Sequence, residues 1–203
     1  MLMRVPSKPD RVFLEAVFVL QCTSKMNAYY YEARLAAAQR ASTIMEFVLA
    51  AAASGGAFAG LVWWTTTEWG KWTWAVLTGL SAVMAVVKPI YAPGRRIELF
   101  TRQHQSYYNN FFALQKLIFM LKQSDEITDE HRKRYDTIYD RHVQLAADDE
   151  AVPSSQAQRR AEQRAKDAMP PDDFWRHWLP IDNQEAGTAH CNVPAGVHGT
   201  VSA

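Results

Sequence analysis

The sequence has few cysteines, the residues that form disulfide scaffolds and many structural zinc sites. Its 203 residues include two cysteines, Cys22 and Cys191, which are too few for a disulfide-rich scaffold or a four-cysteine zinc site. Its net charge is only +1, so no broad basic field points to nucleic acid as a bulk partner. Apolar residues make up 48% of the chain, which excludes wholesale disorder.

Motifs of catalysis are also missing. The glycines Gly55, Gly56 and Gly60 lie in an apolar run and form no phosphate loop, and no Gly-x-Ser-x-Gly elbow occurs. Asp136 and Asp140 share a helical face, but the arginines around them favour a solvated charged surface over an acid–base pair. The sequence therefore predicts no enzyme, no catalytic residue, no metal site and no cofactor.

Charge is absent from two stretches in the middle of the chain. No residue from Phe47 to Thr67 is charged, a run of 21 residues. As a helix this run is about 31 Å long, close to the thickness of a bilayer core. The second run, Trp72 to Val87, has 16 residues and is bounded by Lys71 and Lys88, whose stems can reach the headgroups. Because the link between the runs is short, residues 47–88 predict a hairpin of two transmembrane helices.

The tryptophans favour a membrane over a soluble core. Five of the seven lie at the tip of the hairpin, where an aromatic belt at one membrane interface would place them. They are Trp63, Trp64, Trp69, Trp72 and Trp74. The alternative, a buried hairpin in a soluble bundle, would spread its tryptophans more evenly. Lysines and arginines flank the other ends of both runs, so the positive-inside rule puts both termini in the cytoplasm.

The rest of the chain has the patterns of helices. The predicted fold class is an all-α membrane protein, in which long cytoplasmic helices flank the two-helix hairpin and form a helical bundle. Residues 1–46 are expected to form one or two N-terminal cytoplasmic helices, divided in the second case at Cys22–Ser24. The second span ends at the stop signal Lys88–Pro89, and residues 89–147 form the C-terminal cytoplasmic helices, of which the last has Thr128 as its N-cap. Residues 148–180 supply a linker and a docking helix, and the composition of 181–203 predicts a disordered tail.

The helix after the hairpin carries the clearest periodicity in the chain. Its inward-facing residues alternate between spacings of three and four from Ile97 to Leu121, an a/d seam of nearly four heptads. We expect this helix to run from about Arg95 to Lys122 and to use the seam for self-association, together with the close-packing motif Gly56–Gly60. If the seam packs only within the chain, charges placed in it would unfold the protein instead. The seam residues are Ile97, Phe100, His104, Tyr107, Phe111, Leu114, Ile118 and Leu121.

Small and weakly polar residues share one face of the first span, as the wall of a pore requires. The face consists of Thr43, Glu46, Ala50, Ser54, Ala57, Leu61 and Thr65. At its cytoplasmic edge, Glu46 either repeats around a symmetry axis as an acidic ring that favours cations or forms a salt bridge with Lys88. A competing stripe on the second span, which includes Thr78 and Ser81, is shorter.

Positive charge and aromatic rings recur after the second span. Arg95, Arg96 and Arg102 precede Tyr107 and Tyr108, and arginine beside stackable rings is the chemistry that binds single-stranded nucleotides. These five residues are therefore candidate ligand-binding residues. Contact of the first two arginines with anionic lipid headgroups explains their charge equally well.

This layout resembles the SLATT family, two-span effector domains found beside nucleotide-signalling proteins in bacterial conflict systems. The closest parts are Tyr30-Tyr31-Glu32-Ala33-Arg34 before the first span and Arg102-Gln103-His104-Gln105-Ser106-Tyr107-Tyr108 after the second. The resemblance implies a pore-forming effector of antiphage defence that acts by abortive infection at the bacterial inner membrane. It also implies control by a nucleotide or oligonucleotide from a partner nucleotidyltransferase.

Two functions stay open on this sequence. A pore needs several chains because two spans cannot enclose an aqueous path, and a symmetric tetramer is the first expectation. A membrane-anchored scaffold that holds a cytoplasmic partner at the lipid bilayer needs the hairpin but no pore. Ion flux from purified protein in liposomes distinguishes the two functions.

Overall fold

A computed structural model describes residues 8–58, 67–124, 126–149, 153–176 and 178 of the chain. All regular secondary structure in these residues is α-helical, which confirms the all-α class. The helices are α1 (Lys8–Phe58), α2 (Glu68–Tyr91), α3 (Pro93–Gln123), α4 (Asp129–Ala147), α5 (Ser155–Ala168) and α6 (Pro171–Trp175). Residues 59–66 of the expected first span and the expected tail 181–203 lie outside the described residues.

Helix α1 is continuous over 51 residues and passes through Cys22–Ser24 without a break. There the hydroxyl of Thr23 donates to the carbonyl of Val19 at 2.9 Å, one turn back in the same helix. Bonded in this way, the side chain does not offer the backbone an alternative to the helix. Cys22 and Ser24 are buried, so tertiary packing stabilises this turn where local helix propensity is low.

The chain turns between α2 and α3 at Ala92, just after the stop signal Lys88–Pro89. Ala92 has a φ of 42°, the left-handed conformation, and Pro93 opens α3 because its own restricted φ suits a first helical position. Helix α3 then runs to Gln123, which confirms the helix expected after the hairpin. The next helix begins after Thr128, its expected N-cap, whose backbone N–H donates to Nδ1 of His131 at 3.2 Å.

The described helices divide into two compact units. The first, here called the bundle unit, comprises α1 up to Ala33, α3 from Thr101 onward, and α4 to α6. The second, the middle unit, comprises residues 34–100. The bundle unit has one hydrophobic core, which consists of Phe13, Leu14, Val17, Phe18, Leu20 and Cys22 of α1, Leu114, Leu117, Ile118 and Leu121 of α3, Ile138 of α4, and Phe174 and Trp175 of α6.

Most residues of the heptad seam of α3 are buried against other residues of the bundle unit. Tyr107 and Leu114 are 0% exposed, Leu121 is 1% exposed, and Phe111 and Ile118 are also buried. His104 donates from Nδ1 to the carbonyl of Ala28 at 2.9 Å. These side chains therefore have packing partners within the chain, and the expected use of the seam for self-association stays a prediction. The remaining seam residues, Ile97 and Phe100, belong to the middle unit, where the guanidinium of Arg34 lies over the Phe100 ring at 5.3 Å.

Several apolar side chains of the middle unit are largely exposed. Along α2, Trp69 is 84% exposed, Trp72 71%, Val76 64% and Val83 57%, and these positions recur at helical spacing on one face. Phe47 of α1 is 74% exposed. In the ranges that the structure describes, no helix combines the length and the hydropathy needed to cross a bilayer.

Candidate functional site

The residues expected to bind a ligand fall in different environments. Arg102 is exposed, Tyr108 is half-buried in the wall of a cleft, and Tyr107 is fully buried. Arg95 and Arg96 are exposed residues of the middle unit. Tyr108 therefore marks the candidate site, whereas Tyr107 is buried inside the bundle unit.

The cleft at Tyr108, here called the aromatic cleft, has a volume of about 690 Å³ and lies within the bundle unit. Helices α1 and α3 contribute most of its walls, and residues 168–174 at the junction of α5 and α6 complete them. A cleft of this size can hold a small molecule. Its apolar and aromatic lining includes Phe18, Tyr29, Tyr108, Phe111, Phe112, Ile118, Phe119, Met169 and Phe174, and its polar lining includes Gln21, Lys25, Gln115, Lys122 and Asp173.

Lys25 of α1 places its ammonium group against the aromatic wall. Its Nζ lies 4.3 Å from the ring centroid of Phe111, 4.8 Å from that of Tyr108 and 4.9 Å from that of Tyr29. Each distance is within the roughly 6 Å range of a cation–π interaction. The three rings, rather than a carboxylate, thus stabilise the ammonium group of Lys25 in the cleft.

The aromatic cleft carries positive charge that no acid in its lining neutralises. Among the described residues, neither Lys25 nor Lys122 forms an ion pair. Asp173 is the acid in the lining, and its carboxylate lies 3.1 Å from the guanidinium of Arg176. An anion that enters the cleft therefore meets two lysines without having to displace a carboxylate.

A second polar cluster in the bundle unit surrounds the carboxylate of Asp149, just beyond α4. Tyr107 shares its hydroxyl hydrogen between Oδ1 at 3.0 Å and Oδ2 at 2.9 Å, and Tyr31 donates to Oδ1 at 2.8 Å. The two tyrosine rings stack with their centroids 5.8 Å apart. Burial and the adjacent carboxylate raise the pKa of Tyr107, so its phenol stays protonated and keeps donating. The cluster therefore ties the segment after α4 to both α1 and α3.

His142 of α4 extends this cluster as a neutral ring. It meets Tyr107 edge to face, with centroids 5.6 Å apart, and its Nδ1 lies 3.4 Å from Oγ of Ser24. Burial lowers the pKa of His142 to about 4, because a charged imidazolium would lose its hydration there. At neutral pH the imidazole is uncharged and serves as a packing and hydrogen-bonding group between helices.

The expected pore-lining face is described over part of its length. Thr43, Glu46 and Ala50 are exposed on α1, and Ser42 donates to Oε1 of Glu46 at 3.2 Å. Ser54, Gly56 and Ala57 lie in the helical part of α1, whereas Gly60, Leu61 and Thr65 lie outside the described residues. The assignment of this face to a pore stays a prediction.

Sequence patterns gave no indication of Lys25 and Asp149, the charged residues on which the two clusters depend. Lys25 is one turn before Tyr29 on α1, which is a weak local signal, but Tyr108 and Phe111 reach it only because α3 packs on α1. Asp149 lies in an acidic stretch that has the composition of a linker, and nothing local distinguishes it from its neighbour Asp148.

No protein-family model, curated protein or solved structure matches this chain. In the part of the chain that the structure describes, no three histidine, cysteine, aspartate or glutamate side chains are grouped as they would be around a metal ion. The features that bear on function are thus the aromatic cleft, the Asp149 cluster and the exposed apolar face of α2.

Proposed function

We propose that this chain is an oligomeric, pore-forming effector whose middle unit acts in the bacterial inner membrane, with both termini cytoplasmic. The observation that carries the proposal is the apolar face of α2, where Trp69, Trp72, Val76 and Val83 are largely exposed. A continuous apolar face of this kind is unfavourable in water, and lipid or a second chain would cover it. The two tryptophans at the start of α2 suit the boundary between headgroups and hydrocarbon.

The contrast between the units supports this division of roles. The bundle unit packs many of its apolar side chains in a hydrophobic core and carries ion pairs such as Arg132–Asp10 at 3.3 Å and Arg164–Glu32 at 2.9 Å. A unit that has its own hydrophobic core can fold without lipid around it. Helices α1 and α3 each contribute residues to both units.

Self-association belongs to the middle unit in this proposal. Most seam residues of α3 already pack within the chain. The contacts between chains are therefore expected at the exposed face of α2 and at the small residues Gly56 and Gly60. Two spans cannot enclose water, so several chains must associate around an axis, and a tetramer is the first expectation. Thr43, Glu46 and Ala50 would then line the path, with Glu46 forming an acidic ring that favours cations.

The biological role in the proposal comes from the resemblance to the SLATT family. That resemblance supports a role in antiphage defence by abortive infection, in which an open pore dissipates the membrane potential of an infected cell. It also supports control of the pore by a nucleotide or oligonucleotide that a partner nucleotidyltransferase makes.

Ion flux through liposomes that contain the purified protein tests the pore. Wild-type protein should conduct, and Ala50→Leu or Ser54→Leu should reduce the flux because the larger side chain narrows the path. The matched control is Ala52→Leu, which adds the same side chain about 200° around the helix from Ala50 and should leave flux unchanged. Glu46→Gln should weaken the preference for cations, because it removes the acidic ring.

Three other results would change the proposal in different ways. Flux that survives both α1 substitutions but is lost in Thr78→Leu and Ser81→Leu would assign the lining to α2. Protein that resists carbonate washing of membranes but carries no ions would be a membrane-anchored scaffold. Release of the protein by the wash would refute membrane insertion altogether.

A further inference from the structure

We infer that the aromatic cleft of the bundle unit binds a nucleotide, with the base against its aromatic rings and the phosphates on Lys25 and Lys122. This inference rests on the proposed function for its role as a control signal, although binding itself requires no pore. This site differs from the ligand-binding residues expected from the sequence, whose cations are arginines. The two sets share Tyr108, but the cations of the cleft are lysines.

The charge of the cleft selects an anion. Lys25 belongs to α1 and Lys122 to α3, and neither forms an ion pair with any residue that the structure describes. The acid of the lining, Asp173, is held by Arg176. Lysine has a flexible four-carbon stem, so each ammonium group can move to meet a phosphate, with which it forms a charge-assisted hydrogen bond.

The rings of the cleft select a planar body. Phe112 is 50% exposed and Phe119 is 61% exposed, and both belong to the cleft wall on α3. A nucleobase that stacks on such rings removes them from water, and stacking of this kind tolerates every base. Gln21 and Gln115 add amide groups that can donate to and accept from the edge of a base.

The combination of charge and rings distinguishes a nucleotide from an acyl chain. A fatty acid would cover the rings, but its single carboxylate would leave one of the two lysines unmatched. The phosphates of a nucleoside diphosphate carry enough charge for both. The volume of about 690 Å³ also leaves room for a ring system with its sugar and phosphates, since small-molecule sites typically span about 300–1,000 Å³.

Equilibrium dialysis of the full chain in detergent against ADP and UDP tests the inference. Both nucleotides should bind saturably. Adenosine, which lacks the phosphates, and pyrophosphate, which lacks the base, should each compete at least about tenfold less well. Phe119→Leu should weaken ADP binding about fivefold or more and leave pyrophosphate binding unchanged, because only the base stacks.

Charge-removing variants locate the phosphates. Lys25→Met keeps the length of the side chain, and it should weaken ADP binding about tenfold or more. Lys122→Met, at an exposed position where loss of charge does not threaten folding, should do the same. Lys116→Met is the matched control, because Lys116 is an exposed lysine of α3 outside the cleft lining, and it should bind like the wild type.

The inference would be overturned if neither nucleotide bound saturably at millimolar concentration, or if both cleft lysine variants bound ADP like the wild type. Palmitate binding that ADP does not displace would show a lipid site instead. The pore and the cleft can fail separately. Nucleotide binding by a preparation that conducts no ions would refute the pore alone, and conduction without nucleotide binding would refute the cleft alone.

Discussion

Leu114→Asp distinguishes a core position from an interface position on the heptad seam. Leu114 is 0% exposed and packs in the core that α1 and α3 share. A buried leucine-to-alanine change costs about 2.7–5 kcal/mol, and burial of a carboxylate without a partner adds several kcal/mol more. This sum approaches the whole stability of a typical domain, which is about 5–15 kcal/mol. We therefore expect Leu114→Asp to unfold the bundle unit rather than to produce a folded monomer.

Hydrogen exchange of the full chain in detergent, read at peptides from α3 and α4, measures the effect. Leu114→Asp should abolish protection throughout the bundle unit, and Leu114→Ala should lower the free energy of opening by about 3–5 kcal/mol while the fold persists. Phe119→Asp is the matched control. It makes an apolar-to-aspartate change on the same helix at a 61% exposed position, and it should shift the opening free energy by only about 0.5 kcal/mol.

Light scattering on the same samples supplies the refuting result. A Leu114→Asp protein that keeps native protection but runs as a monomer, beside an oligomeric wild type, would place Leu114 between chains. The assignment of the seam to the core of the bundle unit would then be wrong.

Three further predictions concern the polar cluster and the turn before α3. Tyr107→Phe should lower the free energy of unfolding in urea by about 1.5–3 kcal/mol. The double variant with Tyr31→Phe should lose more than the sum of the two single variants, because the shared carboxylate then loses both phenol donors, and simple additivity would contradict this. The pKa of His142 in the folded state, about 4, lies below its ordinary 6.5, so the unfolded state takes up the proton first. Stability should therefore fall by up to about 3 kcal/mol as the pH drops from 6.5 to 4, and His142→Gln should remove this part of the dependence. Ala92→Gly should raise the stability in thermal unfolding by about 1 kcal/mol, because glycine adopts the left-handed φ of 42° without strain, and a destabilised variant would contradict this.

Local signals in the sequence were sufficient to predict several of the helices. The periodicity from Ile97 to Leu121 predicted α3, and Thr128 predicted the start of α4. Both signals act over a few residues, through the positions of side chains around one helix and through the backbone groups at its end. The uncharged run Trp72–Val87 predicted a transmembrane helix; α2 confirms the helix, but no helix among the described residues is long and apolar enough to cross a bilayer.

Only the tertiary structure decided what each helical face contacts. The seam of α3 could have faced another chain, but Leu14 and Val17 of α1 belong to the core that it fills. Lys25 becomes part of a candidate site because α3 brings Phe111 to it, and Asp149 becomes the centre of a cluster because two distant tyrosines reach it. Periodicity determines the direction in which a side chain leaves its own helix. Its partner depends on how helices far apart in the sequence pack together, and no local pattern encodes that.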